Sequence, residues 1–371
     1  MTTTLAPPRA TDDRDRSVVE TKETASQDAK DISVTDMVSE LSTALESAIG
    51  EIHAVNSETK VLALNARIEA ARAGSHGAAF GVVAEEMQTL SDKTSTIAND
   101  MANRTREKTS ELMHQIDSTV RGTRLSDLAL VNIDLIDRNL YERTCDVRWW
   151  ATDASLVDAL TDRSDGARQF ACQRLGVILS AYTVYHDLVL CDERGKVVSN
   201  GRPDRFASIG SNAARARWFS EASTSRSGDD YGFQSAHLSD LVDKQPSLIY
   251  SCGVREGGDT DGKLIGVLGI VFDWLGLAQP IVHNMPIRPS EKATTQAYIV
   301  TRDSRVLANN QGLSIDHKLD LPEFEKALSS EKGFYVTEHG GRRVCVGHAL
   351  SPGFETYGTG WVSLVIQPIT D

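Results

Sequence analysis

The chain has 371 residues, of which 40% are apolar and 25% charged, and a formal net charge of −13. At ~150 residues per domain, that composition describes two or three globular units and not a disordered chain. The acidic balance argues against nucleic acid as a partner, because phosphate binding draws on a surplus of Lys and Arg on some face.

Five cysteines (Cys145, Cys172, Cys191, Cys252 and Cys345) are odd in number and widely scattered, with no Cys-x-x-Cys pair, which suits reduced thiols in a cytoplasm. The start, MTTTLAPPRATDDRDR, has no apolar stretch behind a basic end and does not read as a secretory leader. A cytoplasmic location is therefore expected. The longest apolar run, Leu264 to Val282, carries Asp273 at its middle and Pro280 near its end. A carboxylate at bilayer depth is costly, so this run predicts a strand leading into a helix and no membrane span.

Residues 1–30 are polar and aperiodic and are expected to be disordered. From residue 31 to about 122 the pattern predicts an antiparallel helical hairpin. Val34, Val38, Leu41, Leu45, Ala48, Ile52, Val55, Thr59 and Leu62 follow steps of four and three, the seam of a coiled coil. The rhythm breaks at Gly74-Ser75-His76-Gly77 and resumes in Phe80, Val83, Met87, Leu90, Thr94, Ile97 and Met101. The turn is expected to centre between Ser75 and His76, with arms of about 60 Å. One such hairpin buries little, so a homodimeric four-helix bundle is expected. An irregularity at Arg104, Thr105 and Lys108 resembles a stutter.

The segment KVLALNARIEAARAGSHGAAFGVVAEEMQTLSDKT, Lys60 to Thr94, closely resembles the hairpin tip of methyl-accepting chemotaxis proteins. The resemblance implies binding of a CheW-type adaptor and a CheA-type histidine kinase. Carried over by position, Val61, Leu64, Ile68 and Arg72 would form the adaptor-facing surface, and Glu69 and Glu86 would organise the tip. Ser57, Lys60 and Ser75 stand where well-known members carry Phe, Asn and Glu. No paired Glu/Gln flanked by small residues occurs at the usual spacing, so methylation is not expected.

Residues 123–371 are expected to form a sensor. A helical stretch runs from Leu125 to about Tyr185, broken by the polar loop at 162–166. A strand-turn-strand signature, DLVLCDERGKVVSNG, follows from Asp187 to Gly201. Then come a helix at Ala214 to Ser223 and strands near 231–235, 248–254 and 264–272. The order recurs with AYIVTRDSRVLANN (Ala297 to Asn310), a helix at Leu321 to Ser330, and strands at 333–338, 342–349 and 361–367, an internal duplication of modules at 186–282 and 295–369. The fold class expected for the whole is α + α/β: the hairpin, then a long helix and two PAS-like modules.

This order, with the strand-turn pair VLCDERGKVVS, the Trp218-Phe219 pair and GVLGIVFDW, resembles the double Cache domain of bacterial receptors. The resemblance implies a small-molecule ligand in the first module. Trp218 and Phe219 would stack on it, Tyr250 would line the sheet, and Asp273 would hold an ammonium or hydroxyl group. Trp and Phe on a helix facing a sheet are, however, core residues more often than ligand contacts. Asp273 equally suits a cap on the following helix. Where amino-acid-binding relatives carry Arg, two positions before the Trp, this chain has Ala216; Arg215 and Arg217 flank it, and Arg217 is a further ligand candidate.

Nine dispersed histidines form no pair at metal-ligand spacing, and no phosphate loop or nucleophile elbow occurs. No metal, cofactor or enzymatic activity is expected. The leading reading is a soluble chemoreceptor acting on a CheW/CheA-type complex; the alternative is a cytosolic ligand-binding scaffold that regulates no chemotaxis kinase.

Overall fold

The computed structural model describes residues 34–369, with side chains from residue 37; the segment expected to be disordered, 1–30, lies outside the described residues. Two compact units divide between Asp117 and Ser118.

The first unit is a hairpin. Helix α1 spans Val34–Arg72, a 3-10 turn spans Gly74–Gly77, and helix α2 spans Ala78–Trp150. Gly74 takes φ +60, a conformation that a side chain disfavours. Gly77 faces Ala70 so closely that a Cβ would fall on the Ala70 carbonyl oxygen. Across the hairpin, Asn56 Nδ2 donates to the Ser91 carbonyl at 2.7 Å, and Ser91 Oγ donates to Asn56 Oδ1 at 2.6 Å. A turn centred between Ser75 and His76 would set Asn56 against Ser95. The observed pairing centres the fold-back two residues earlier, because α1 ends at Arg72 and the left-handed Gly74 starts the reversal at once.

The seam between the two arms also differs from the expected one. Its buried residues are Ile49, Asn56, Ala63, Ala70, Gly77, Ala84, Ser91 and Ala98, one every seven positions. Small side chains here let the helices approach closely. The large residues of the expected steps lie beside that row: Leu41, Val55, Leu62, Phe80, Val83, Leu90 and Ile97 are all exposed in the single chain, Val55 and Leu90 along the groove between the arms.

The second unit contains the rest of α2, then α3 (Ala154–Thr161), α4 (Asp165–Ala181) and two sheets. The helical stretch expected from Leu125 thus forms three helices. Asp153 caps α3 and Ser164 caps α4, each accepting from a backbone amide two or three residues on. The first sheet holds β1 (Tyr185–Asp192), β2 (Val197–Asn200), β3 (Gly232–Ser239), β4 (Gln245–Arg255) and β5 (Leu264–Asp273) in the order β2-β1-β5-β4-β3. The second holds β6 (Gln296–Val300), β7 (Val306–Asn309), β8 (Lys332–His339), β9 (Arg342–Leu350) and β10 (Val362–Pro368) in the matching order β7-β6-β10-β9-β8. Every named strand pair is antiparallel, so the class is α+β and not the α/β expected.

Alternation along the strands sorts the core into layers. Leu268, Ile270 and Phe272 of β5 face the long helix with Leu125, Ile133, Ile136 and Leu140, in one core that also takes Ala297, Ile299 and Val365 from the second sheet. Val267 and Val271 face the opposite way, toward helix α5 (Arg217–Ser223). The second module's counterpart of α5 is a 3-10 segment, Phe324–Leu328, in place of the helix expected at Leu321 to Ser330; Pro322 precedes it and Glu323 sits at φ +58. The apolar run 264–282 is β5 followed by α6 (Trp274–His283), and no helix among the described residues is long and apolar enough to cross a membrane. Trp274 Nε1 donates to the Leu307 carbonyl at 2.6 Å, tying α6 to the second sheet.

Candidate functional site

In the first module, a cavity of about 240 Å³ opens between the loop before α5 and the outer face of the sheet. Ser208, Ala213, Trp218, Gln234, His237 and Ile249 line it. Trp218 is 2% exposed, and its ring lies on Gly269, where a Cβ would stand 2.8 Å away. That contact explains the glycine in GVLGIVF. Gln234 brings a carboxamide whose Oε1 is buried without a hydrogen-bond partner, and His237 Nδ1 lies 2.9 Å from the Ser235 carbonyl. Behind the wall, Asn200 Nδ2 donates to Ser208 Oγ at 3.0 Å and to Asp187 Oδ2 at 2.9 Å. Asp187 is fully buried; burial pushes its carboxyl up to about 6, against the pull of the Leu188, Gly201 and Arg202 amides.

The structure divides the residues expected to surround one ligand. Trp218 lines the cavity, and Phe219 packs in the same outer layer with their rings 6.0 Å apart. Tyr250 belongs to the inner layer, on the other side of the sheet, because neighbouring strand positions alternate and Ile249 takes the cavity side. Its hydroxyl meets that of Tyr357 at 2.6 Å. Asp273 Oδ1 accepts from the Gly276 amide at 2.9 Å and lies 3.4 Å from His186 Nε2. Arg217 is exposed and paired with Glu221 at 2.7 Å, on the solvent side of α5. Gln234, His237 and Ser208 were missed; strand parity with Ile249 is the signal that could have found Gln234, whereas Ser208 and His237 sit in or beside irregular backbone.

On the hairpin, Val61, Leu64 and Ile68 are exposed at 56%, 49% and 44% and follow steps of three and four along one face of α1. Arg72 continues that row and pairs with Glu69 at 2.7 Å in full solvent. Glu86 is exposed on α2. Lys60 forms an ion pair across the hairpin with Asp92 at 2.5 Å. A groove of about 570 Å³ runs between the arms over Ile52, Val55, Asn56, Leu90 and Ser91. Among the described residues no cluster of His, Cys, Asp or Glu is arranged to hold a metal ion.

Comparison with known proteins matches family models to both the hairpin and the two-sheet unit. The family model described as "Cache domain" matches residues 78–371, and the one described as "Methyl-accepting chemotaxis protein (MCP) signalling domain" matches residues 14–130. The chain belongs to the Cache-domain family and carries a methyl-accepting chemotaxis signalling domain ahead of its sensor. Among curated proteins, it is 33% identical over 109 residues to the biofilm dispersion protein BdlA of Pseudomonas aeruginosa, covering 28% of this chain and 26% of that protein. It is 42% identical over 77 residues to the methyl-accepting chemotaxis protein CtpM of the same species, covering 21% of this chain and 12% of that one. The chain thus spans about a quarter or less of the length of these relatives. The sensory domain of the Campylobacter jejuni chemoreceptor Tlp3 is similar at 17% identity and a TM-score of 0.49, covering 66% of this chain and 92% of that one.

Proposed function

We propose that this chain is a cytoplasmic signal transducer, not an enzyme, in which a small molecule bound in the first module sets the activity of a CheA-type kinase held at the hairpin tip through a CheW-type adaptor. The observation that carries the sensing half is the cavity beside Trp218, where a polar atom of Gln234 is buried without a partner in a wall that also presents Ser208, His237 and Ile249. Buried polar groups are normally satisfied, and a ligand with a hydrogen-bonding group supplies the missing partner.

The signalling half rests on the exposed row Val61, Leu64, Ile68 and Arg72, with Glu69 and Glu86 nearby, in a segment matched by the signalling-domain model. The outward stripe of Leu41, Val55, Leu62, Leu90 and Ile97 is too apolar to face water along a whole hairpin. A second copy covers it in a homodimeric four-helix bundle, with the groove over Val55 and Leu90 as its seat. Helix α2 is shared by hairpin and sensor, and the signal travels along it.

The test of the ligand site is a thermal-shift screen of amino acids, organic acids and amines against the intact chain. A binder at 100 times its dissociation constant adds about 2.7 kcal/mol of stability, and Ile249→Trp, which fills the cavity, abolishes the shift. A binder whose shift survives that substitution places the ligand elsewhere. The alternative, a cytosolic scaffold without a chemotaxis kinase, is favoured by Lys60, which engages Asp92 of its own hairpin where well-known family members carry Asn.

A further inference from the structure

The loop joining β9 to β10 touches both the first module's sheet and the long helix α2. Its Tyr357 hydroxyl bonds that of Tyr250, on the inner face of the first module's β4 and adjacent in sequence to the cavity residue Ile249. Both tyrosines are buried, at 0% and 7% exposure. The same loop grips helix α2 through one carboxylate. Asp137, fully buried, accepts at Oδ2 from Ser351 Oγ (2.6 Å) and the Gly353 amide (2.9 Å), and at Oδ1 from the Thr359 hydroxyl (2.8 Å) and amide (3.2 Å). One helical turn on, Tyr141 packs edge-on against Phe354 with ring centroids 5.4 Å apart, and the Arg138 guanidinium lies 4.5 Å over the same ring.

From these contacts we infer that the β9–β10 loop of the second module is the relay by which the first module's sheet acts on the signalling helix, with the Tyr250–Tyr357 hydrogen bond as its joint and Asp137 as its anchor. The loop suits the role because its hold on the helix is concentrated. A buried carboxylate is tolerable only while its donors stay in place, so Asp137 holds the loop in one arrangement or releases it, and a shift of β4 delivered through Tyr357 acts on that choice. A direct route also exists: Asp146 of α2 accepts from the Tyr185 hydroxyl at 2.5 Å, beside the buried Arg143. That route ends on β1, the strand of the sheet next to β5, and does not involve the cavity-lining strand β4. The relay is a property of the sensor unit alone and stands whether or not a ligand fills the cavity or a kinase docks on the hairpin.

The amides of Gly353 and Thr359 report on the anchor, since both donate to Asp137. Amide hydrogen exchange, read by mass spectrometry on the full chain, is compared for the parent, Tyr250→Phe, Tyr357→Phe and Tyr185→Phe. Removing either hydroxyl of the joint is expected to raise exchange at Gly353 and Thr359 about fivefold or more while the amides of β6 and β10 keep their protection. Tyr185→Phe, which removes a hydroxyl of the same kind from the first module but outside the relay, is expected to leave Gly353 and Thr359 unchanged. Unaltered exchange at those two amides in both joint variants would overturn the inference. So would a rise of equal size in Tyr185→Phe or throughout the second sheet, which is general loosening and no relay.

Discussion

The Asp273 carboxylate accepts a hydrogen bond from the Gly276 amide at 2.9 Å and so caps helix α6 at the point where β5 becomes a helix. A capping side chain satisfies one of the amides that a helix N-terminus leaves without an internal partner. Asp273→Ala is expected to lower stability by about 1 kcal/mol and to leave binding in the Trp218 cavity intact. Denaturant titration with a binding isotherm on the same variant checks both halves; lost affinity at unchanged stability would return Asp273 to the ligand site.

Gly269 predicts the opposite behaviour. A Cβ there stands 2.8 Å from the Trp218 ring, which is already fully packed. Gly269→Ala is expected to cost about 1–3 kcal/mol by overpacking and, by pushing the indole toward the cavity, to weaken ligand binding as well. Melting temperature and ligand affinity read the two effects separately.

The hairpin's outward stripe predicts its oligomeric state. Leu41 and Leu90 are exposed at 61% and 67% in the single chain, so Leu41→Asp with Leu90→Asp disturbs little within it but places four charges in the seam of a dimer. The full chain is expected to sediment as a dimer and the double variant as a monomer at the same concentration. A double variant that remains dimeric would show that this stripe is not the interface.

Buried imidazoles give the stability a defined pH dependence. His348 is 2% exposed on β9, and burial holds its pKa below the ordinary 6.5; His186 is lowered by burial in the same direction, against the pull of Asp273. The unfolded chain therefore takes up these protons first, and their contribution is complete above pH 6.5 and lost as pH falls through the folded values. Asp187 works in reverse: with its carboxyl raised from 3.8 to about 6, the folded state holds the extra proton in that window, and stability declines as pH rises through it. His348→Phe is expected to lose less stability than the parent between pH 6.5 and 5, because the difference between the two isolates the imidazole. Parallel curves from urea titrations across that range would contradict the assignment.

Much of the architecture was legible because it follows from periodicity. The step pattern from Val38 to Met101 marked a hairpin, and the repeat of DLVLCDERGKVVS in AYIVTRDSRVLA marked two modules with the same strand order. The face of the hairpin seam was not legible by weight of hydrophobicity. The arms meet on Ala63, Ala70, Gly77, Ala84 and Ala98, one step away from the heavier Leu62 and Ile97, since close approach of two helices selects small side chains. A search for a strict seven-residue repeat would have found it. Tyr250 was misplaced for a similar reason. Its position beside Ile249 is plain in the sequence, but which of the two faces the Trp218 helix depends on where the strand enters the sheet, and nothing local to SLIYSCG sets that.

Under the proposed function the hairpin tip engages a chemotaxis kinase complex under control of the sensor. This is tested most directly by adding the intact chain, and separately Ile68→Asp, to a CheA-type kinase with its CheW-type adaptor and measuring kinase autophosphorylation and co-sedimentation. The intact chain is expected to sediment with both proteins and to change the phosphorylation rate, and Ile68→Asp, a charge on the exposed row of α1, is expected to keep its helicity and do neither. An intact chain that neither binds the pair nor alters the rate would contradict the proposed function.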